Sequence, residues 1–263
     1  MVLCLSVFSF SWTPVSAEET KKIQDNSFLI EEAYNQEPGV IQHIQAFQYF
    51  KKSKTWVYTF TQEWPVPKQT HQLSYTIPVL HVHGDTSETG IGDIMLNYRY
   101  QLVLKDRLAV APRFSLILPT GDYKKGLGTD ALGYYVNLPV SVELSDKWVS
   151  HWNAGVTYTP NSKESGGAKA DTFGYNLGTS LIWLASENFN ILTEAVWNSA
   201  QIVQPDGTKK KGESFFINPG MRFAVNHKSG LQVVPGIGFP IGIGPSNREY
   251  GVFLYLSFEH PLF

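Results

Sequence analysis

Apolar and aromatic side chains recur at every second position along most of the chain. The stretch DIMLNYRYQLVL, from Asp93 to Leu104, has one apolar face and one mostly polar face when it is drawn as a strand. A period of two is typical of a β-strand whose two faces meet different surroundings. Similar segments predict about twelve strands, at 41–50, 55–65, 70–82, 92–104, 107–119, 133–144, 148–160, 172–184, 189–200, 214–226, 231–243 and 250–261.

The connections between these strands alternate in length through the middle of the chain. Short polar turns follow some strands, and longer polar loops follow the others, at 83–91, 120–132, 161–171 and 204–214. Short turns at one end and long loops at the other are typical of an outer-membrane barrel. The sequence therefore predicts an all-β fold, a single antiparallel up-and-down transmembrane β-barrel of about twelve strands, with both termini on the periplasmic side.

The distribution of polar residues predicts which face of the barrel meets lipid. Every lysine lies in a predicted turn, a predicted loop or the N-terminal region, whereas a soluble sheet commonly exposes lysine on its outer face. The rows opposite the apolar ones are small or polar, as with Asn137, Ser141 and Glu143. In a dry core, such unpaired groups would cost roughly 1–3 kcal/mol each. We therefore expect the apolar face to meet lipid and the polar face to line a wet lumen.

Composition and the N-terminus narrow the class of protein further. The chain has 263 residues and a formal net charge of −2, so it has no basic footprint for nucleic acid. Residues 1–17 are predicted to be a signal peptide, since an apolar run ends in the small residues Val15-Ser16-Ala17, although no Lys or Arg precedes it. The single cysteine, Cys4, lies in that segment. The predicted organisation is a signal peptide at 1–17, an N-terminal segment at 18–40 and a barrel at 41–263.

Charged residues on the polar rows are the candidates for lining and selectivity of the lumen. Pairing Leu104 with Leu108 across a tight turn would place Arg99 directly opposite Arg113, and two opposed arginines need carboxylates nearby. The candidates are Arg99, Arg113, Arg222, Glu143, Glu194, Asp93 and Glu259, along with Glu63. Two roles stay open at this point, a charged constriction that selects solutes and an internal ion-pair network that braces the barrel.

The stretch FLIEEAYNQEPGV, residues 28–40, precedes the first predicted strand and carries Glu31 and Glu32. It is partly apolar, unlike an ordinary polar tail. We expect it to fold into the lumen and to place Glu31 or Glu32 near the arginine pair, which would narrow or plug the pore. A periplasmic tail is the alternative.

Two motifs suggest other chemistry. His81, His83 and Asp85 have part of the spacing of a metallo-hydrolase ligand set, but the next histidine of that motif is missing. Ser257 and His260 suggest a phospholipase-like barrel enzyme, but strand alternation turns Ser257 toward the lumen and His260 outward. The sequence therefore predicts no catalytic residues, no metal and no cofactor. A structural or adhesive barrel is the remaining alternative.

Three stretches of the chain resemble a known family. They are TGIGDIMLNYRYQL, APRFSLILPTGDYKKGLGTD and YYVNLPVSVELSDKWVSHWNAGVTYTP, and they are similar to the MetA-pathway of phenol degradation-like outer-membrane family over roughly residues 90–263. The resemblance implies a porin-like outer-membrane channel or transporter, and it carries no defined set of substrate residues. The expected partners are outer-membrane lipid and a small, hydrophobic or aromatic solute that passes by diffusion. The oligomeric state stays open.

Overall fold

The computed structural model describes residues 27–84 and 87–262. Within these ranges the chain forms one closed antiparallel barrel of twelve strands, so the predicted fold is confirmed. The strands are β1 Val40–Phe50, β2 Trp56–Pro65, β3 His71–Val82, β4 Glu88–Ile91 with Ile94–Tyr100 and Val103–Lys105, β5 Leu108–Val110 with Arg113–Leu118, β6 Gly133–Ser145, β7 Trp148–Lys163, β8 Lys169–Ser186, β9 Phe189–Val203, β10 Lys209–Phe223 with Val225–Asn226, β11 Gln232–Gly238 with Ile241–Gly242, and β12 Gly251–Pro261. No helix in the described residues is long and apolar enough to cross a membrane.

The barrel closes where the first strand pairs with the last. The β1–β12 ladder runs without a shift from Val40 opposite Pro261 to Phe50 opposite Gly251. Every other strand pairs with its neighbours in chain order, which leaves no free sheet edge. The amide of Leu262 donates to the carbonyl of Gly39 at 2.7 Å. The start of β1 and the C-terminal end of the described chain therefore lie together at the end of the barrel that carries the two-residue turns.

The outer surface is apolar and the inner surface is polar. Val136 is 52% exposed and Asn137, the next residue of β6, is 1% exposed. The same contrast separates Trp152 from its neighbours in β7, His151 and Asn153. An exposed apolar surface around a barrel is typical of a barrel that lipid surrounds, because such a surface is unfavourable in water. The predicted orientation of the two faces, apolar outward and polar inward, is confirmed.

Four neighbouring strands extend well beyond their predicted ends. β7, β8, β9 and β10 contain 16, 18, 15 and 15 residues. The predicted long loops at 161–171 and 204–214 are wrong, because pairing continues to Lys163 opposite Lys169 and to Val203 opposite Lys209. The inference that lysine avoids every strand is wrong for the same reason. Backbone pairing continues past the lipid into water, where polar side chains are solvated, so polarity ended the predicted strands too early.

The pairing of β4 with β5 contains a shift that the sequence does not predict. Lys105 pairs with Leu108, where Leu104 was expected. Arg99 nevertheless lies opposite Arg113, as predicted. The ladder moves by one residue between these two regions, next to Pro112, which has no N–H to contribute. The one-residue error in the predicted turn and the one-residue shift in the ladder cancel, so the predicted arginine pairing is correct.

Candidate functional site

Residues 27–39, which we call the lumen segment, run along the inner wall of the barrel. They form no strand or helix, so their backbone amides need other partners. Polar side chains of the wall supply these partners across several strands. The contacts are Glu31 N to Asn153 Oδ1 at 3.0 Å, Ala33 N to Ser141 Oγ at 2.7 Å, Asn35 N to Gln101 Oε1 at 2.8 Å and Gln36 N to Gln72 Oε1 at 2.7 Å.

Glu194 of β9 holds the start of the lumen segment. One oxygen of its fully buried carboxylate accepts the amides of Phe28, Leu29 and Ile30 at 2.8, 2.7 and 3.0 Å. The other oxygen accepts the side-chain amide of Asn218 at 2.7 Å. Convergent N–H donors form a concave site that favours an anion. Here the anion is a side chain of the barrel wall, and the concave site belongs to the segment.

Arg99 of β4 binds the middle of the lumen segment. Its guanidinium donates to Asn35 Oδ1 at 2.9 Å, to the Tyr34 carbonyl at 2.7 Å and to the Glu32 carbonyl at 3.1 Å. The carboxylates of Glu32 and Glu63 lie 3.6 and 3.9 Å from it. The guanidinium carries five donors in a rigid planar fork, whereas a lysine ammonium carries three around one atom, so arginine suits acceptors that are spread along the segment.

Arg113 of β5, opposite Arg99, binds the lumen segment through a side chain. Its guanidinium lies 2.7 Å from the carboxylate of Glu31 and stacks 5.2 Å from the ring centroid of Tyr135. The structure therefore places Glu31 and Glu32 beside the two arginines. Together with Glu63 they surround two positive charges with three carboxylates. The roles of these residues in plugging and in selectivity stay predictions.

The other predicted lumen residues occupy different levels of the barrel. Arg222 of β10 is fully buried, and Glu143 lies near Tyr34. Glu259 of β12 pairs with Gln42 and Gln232 at the end of the barrel that carries the short turns. Asp93 lies at the opposite end, where it accepts the amides of Gly121 and Thr129 and holds the loop at 119–132.

Three cavities meet at Leu29 of the lumen segment. Their volumes are about 380, 360 and 500 Å³. The largest is also lined by Ser53 and Glu249, which lie in connections at the end with the longer loops. Another reaches the arginines and is lined by both apolar and polar side chains. The lumen segment thus forms part of the wall of all three cavities.

The motifs that suggested other chemistry lie at separate places. His81 donates to or accepts from Thr89, His83 does so with Ser87, and Asp85 lies outside the described residues. No group of three metal-binding side chains occurs in the part of the chain that the structure describes. Ser257 is buried in the wall. The Nε2 atom of His260 lies 3.2 Å from Nε2 of His43, so the partner of His260 is a histidine of β1.

Sequence reasoning missed the neutral residues that bind the lumen segment. Gln72, Gln101, Ser141 and Asn153 occupy inward positions of four different strands. Their inward orientation follows from alternation. Their common partner does not, because alternation gives the face of a residue and leaves its height in the barrel undetermined.

Comparison with known proteins places this architecture in a family. The family model described as "Putative MetA-pathway of phenol degradation" matches residues 39–258. The chain belongs to this family. The matched range covers the barrel almost completely, and most of the lumen segment precedes it. No curated protein sequence matches the chain.

Solved structures similar to this MetA-pathway family member are outer-membrane barrels. An outer membrane channel from Pseudomonas putida F1 is 14% identical, with a TM-score of 0.62 over 86% of this chain and 97% of that one. The NanC porin is 11% identical, with a TM-score of 0.55 over 82% of this chain and 98% of the porin. At these identities the similarity concerns the fold. The family member is a barrel of the outer-membrane type.

Proposed function

We propose that the protein is a passive channel of the outer membrane for a small, hydrophobic or aromatic solute. The observation that carries the proposal is a closed barrel with an apolar outer surface whose lumen retains cavities of about 360–500 Å³ beside the lumen segment. Their lining mixes apolar side chains such as Leu29 and Ile30 with polar groups, which suits a small amphipathic molecule. The family description, which refers to phenol degradation, supports an aromatic solute.

In this proposal residues 18–40 act as a plug, and residues 1–17 direct export. Residues 27–40 of this segment are described, and the signal peptide and residues 18–26 lie outside the described residues. The hydrogen bonds that Glu194 accepts from the segment and those that Arg99 donates to it support a plug that stays in place at rest. The charged residues around Glu31 then serve to hold the plug, and they determine selectivity once it has moved.

Single-channel conductance in a planar bilayer tests the proposal. The full chain is compared with a chain that lacks residues 18–40, and heat-dependent migration on a gel verifies that both barrels are folded. We expect small or rare current steps from the full chain and larger steps from the truncated chain. In parallel, phenol uptake into proteoliposomes is measured for the full chain. Absence of current from both proteins, together with phenol uptake by the full chain that is no faster than uptake by protein-free liposomes, would exclude the channel.

A further inference from the structure

The side chain of Phe28 occupies a slot in the barrel wall that three glycines create. Gly220 of β10 and Gly236 and Gly238 of β11 all face inward, and Gly220 pairs with Gly238. A Cβ atom added at Gly236 would lie 2.7 Å from the Phe28 ring, and one added at Gly238 would lie 3.0 Å from it. A Cβ atom at Gly220 would lie closer still. No residue other than glycine leaves room for a ring at these three positions.

Two aromatic side chains form the other wall of the slot. The Phe28 ring lies 5.3 Å from the ring of Phe253, at an interplanar angle of 27°, and 5.6 Å from the ring of Tyr255, at 41°. Both residues belong to β12, next to the glycines of β11. Ring pairs in these geometries are attractive beyond the apolar area that they bury. The slot therefore has the shape and the chemistry of a site for one benzene ring.

The slot also opens toward the space available to a solute. Phe28, Phe253 and Tyr255 all line the cavity of about 360 Å³ that reaches the arginine pair. A molecule in this cavity is thus in direct contact with the slot and its present occupant. The backbone of Phe28 is held by Glu194, on a different strand from the slot, so the slot and this anchor lie on different parts of the wall.

We propose that this slot is a binding site for one ring of a monocyclic aromatic solute, in competition with the side chain of Phe28. The proposal rests on the proposed function, because it names the class of solute and the place where its ring binds. In the absence of solute, the Phe28 ring occupies the site that the solute ring would take. A solute ring that takes the slot displaces the start of the lumen segment and opens the path past it.

Fluorobenzene binding to full-length variants tests the site. Phe28→Ala empties the slot, and the matched control Leu29→Ala shortens the neighbouring side chain, which lines the same cavity and carries no ring. We expect ¹⁹F NMR titration in detergent to give affinity for fluorobenzene about tenfold higher in Phe28→Ala than in Leu29→Ala or the unmodified chain. Fluorocyclohexane, which has a similar size and no π-system, is expected to bind Phe28→Ala more weakly than fluorobenzene does.

A second substitution locates the bound ring. Adding Gly236→Ala to Phe28→Ala places a methyl group in the emptied slot and is expected to remove the gain in affinity. Should Phe28→Ala fail to fold, Phe28→Leu retains an apolar side chain without a ring, and it is expected to bind fluorobenzene more tightly than Leu29→Ala does. Equal affinities in the folded Phe28 variant and in Leu29→Ala would overturn the site. Phenol uptake by proteoliposomes of the unmodified chain assesses the channel separately, so one proposal can fail while the other stands.

Discussion

The buried carboxylate of Glu194 is the single group on which the start of the lumen segment depends most. One of its oxygens accepts three consecutive amides. Hydrogen bonds to a charged group contribute about 1.5–3 kcal/mol each. A carboxylate with no exposed surface would be costly without such donors. Segment and side chain therefore stabilise each other, and neither is well placed without the other.

Replacing Glu194 by Leu is expected to release the start of the lumen segment, since three amides lose their acceptor. The readout is the rate at which a water-soluble maleimide labels a cysteine introduced as Ser27→Cys, a position that is fully buried in the native chain. Labelling is expected to accelerate more than tenfold. Glu213→Leu, which removes an exposed carboxylate paired with Lys211, is the control and should leave the rate unchanged. Equal rates in both variants would contradict the anchoring role of Glu194.

At the scale of elements, the lumen segment forms no helix or strand and is held by hydrogen bonds and ion pairs to the barrel wall. Arg99 and Arg113 face each other on adjacent strands, and like charges so placed repel. Glu31 and Glu32 of the segment supply the compensating charge. The segment and the β4–β5 pair are therefore coupled electrostatically. The effect on stability of a charge change in one should depend on the charges in the other.

Exchanging the charges of Glu31 and Arg113 tests this coupling. Glu31→Arg and Arg113→Glu are each expected to lower the midpoint of thermal unfolding, because each leaves like charges in contact in a partly buried site. The double variant is expected to recover much of the loss. A double-mutant cycle isolates this coupling. The exposed pair Arg107–Asp146 is the control, and the same exchange there should show coupling of less than about 1 kcal/mol. Additive effects at Glu31 and Arg113 would exclude the ion pair.

The turn at 164–168 gives a pH-dependent prediction outside the membrane. The amides of Gly166 and Ala168 donate to the Glu164 carboxylate and hold its pKa below the usual range. A lowered pKa means that the stabilisation is present above the ordinary glutamate pKa of about 4.3 and is lost as the pH falls through the lowered value. Amide chemical shifts of Gly166 and Ala168 are expected to change only in that acid range, and Glu164→Gln should abolish the change. A transition above pH 5 would contradict it.

The sequence predicted the barrel and part of the site for identifiable physical reasons. Strict alternation gave the faces, and a tight turn placed Arg99 near Arg113. The slot of Phe28 could not be predicted, because its glycines and aromatic residues come from three strands whose relative heights depend on register. Strand ends were missed because the end of apolar alternation marks the edge of the lipid, and backbone pairing continues beyond it.

For the whole molecule, the decisive property is a continuous apolar outer surface around a polar interior. The cost in stability of an added charge should therefore depend on whether the position lies on the apolar outer surface or at the polar rim. Val136 is half exposed in the lipid-facing row of β6, whereas Ser165 lies in a turn at the rim. Membrane depth, more than local packing, should determine the effect of an added arginine.

Val136→Arg is expected to lower the free energy of unfolding in a lipid bilayer by about 1–4 kcal/mol, between the cost of an arginine near an interface and its cost at the midplane. Ser165→Arg should change it by less than about 1 kcal/mol, as found near the interfaces. Reversible unfolding in urea, followed by tryptophan fluorescence in lipid vesicles, gives both values. A cost at Ser165 equal to that at Val136 would place the bilayer elsewhere on the barrel.

The pairing of β1 with β12 also means that the barrel can close only after the last strand has been synthesised. Val40 and Pro261 are partners although nearly the whole chain lies between them, and closing so long a loop is slow and entropically costly. Until β12 pairs with it, one edge of β1 has unpaired N–H and C=O groups, which can bind a strand of another chain. An incompletely paired chain therefore carries a free strand edge that favours aggregation, and this edge needs protection until β12 pairs with β1.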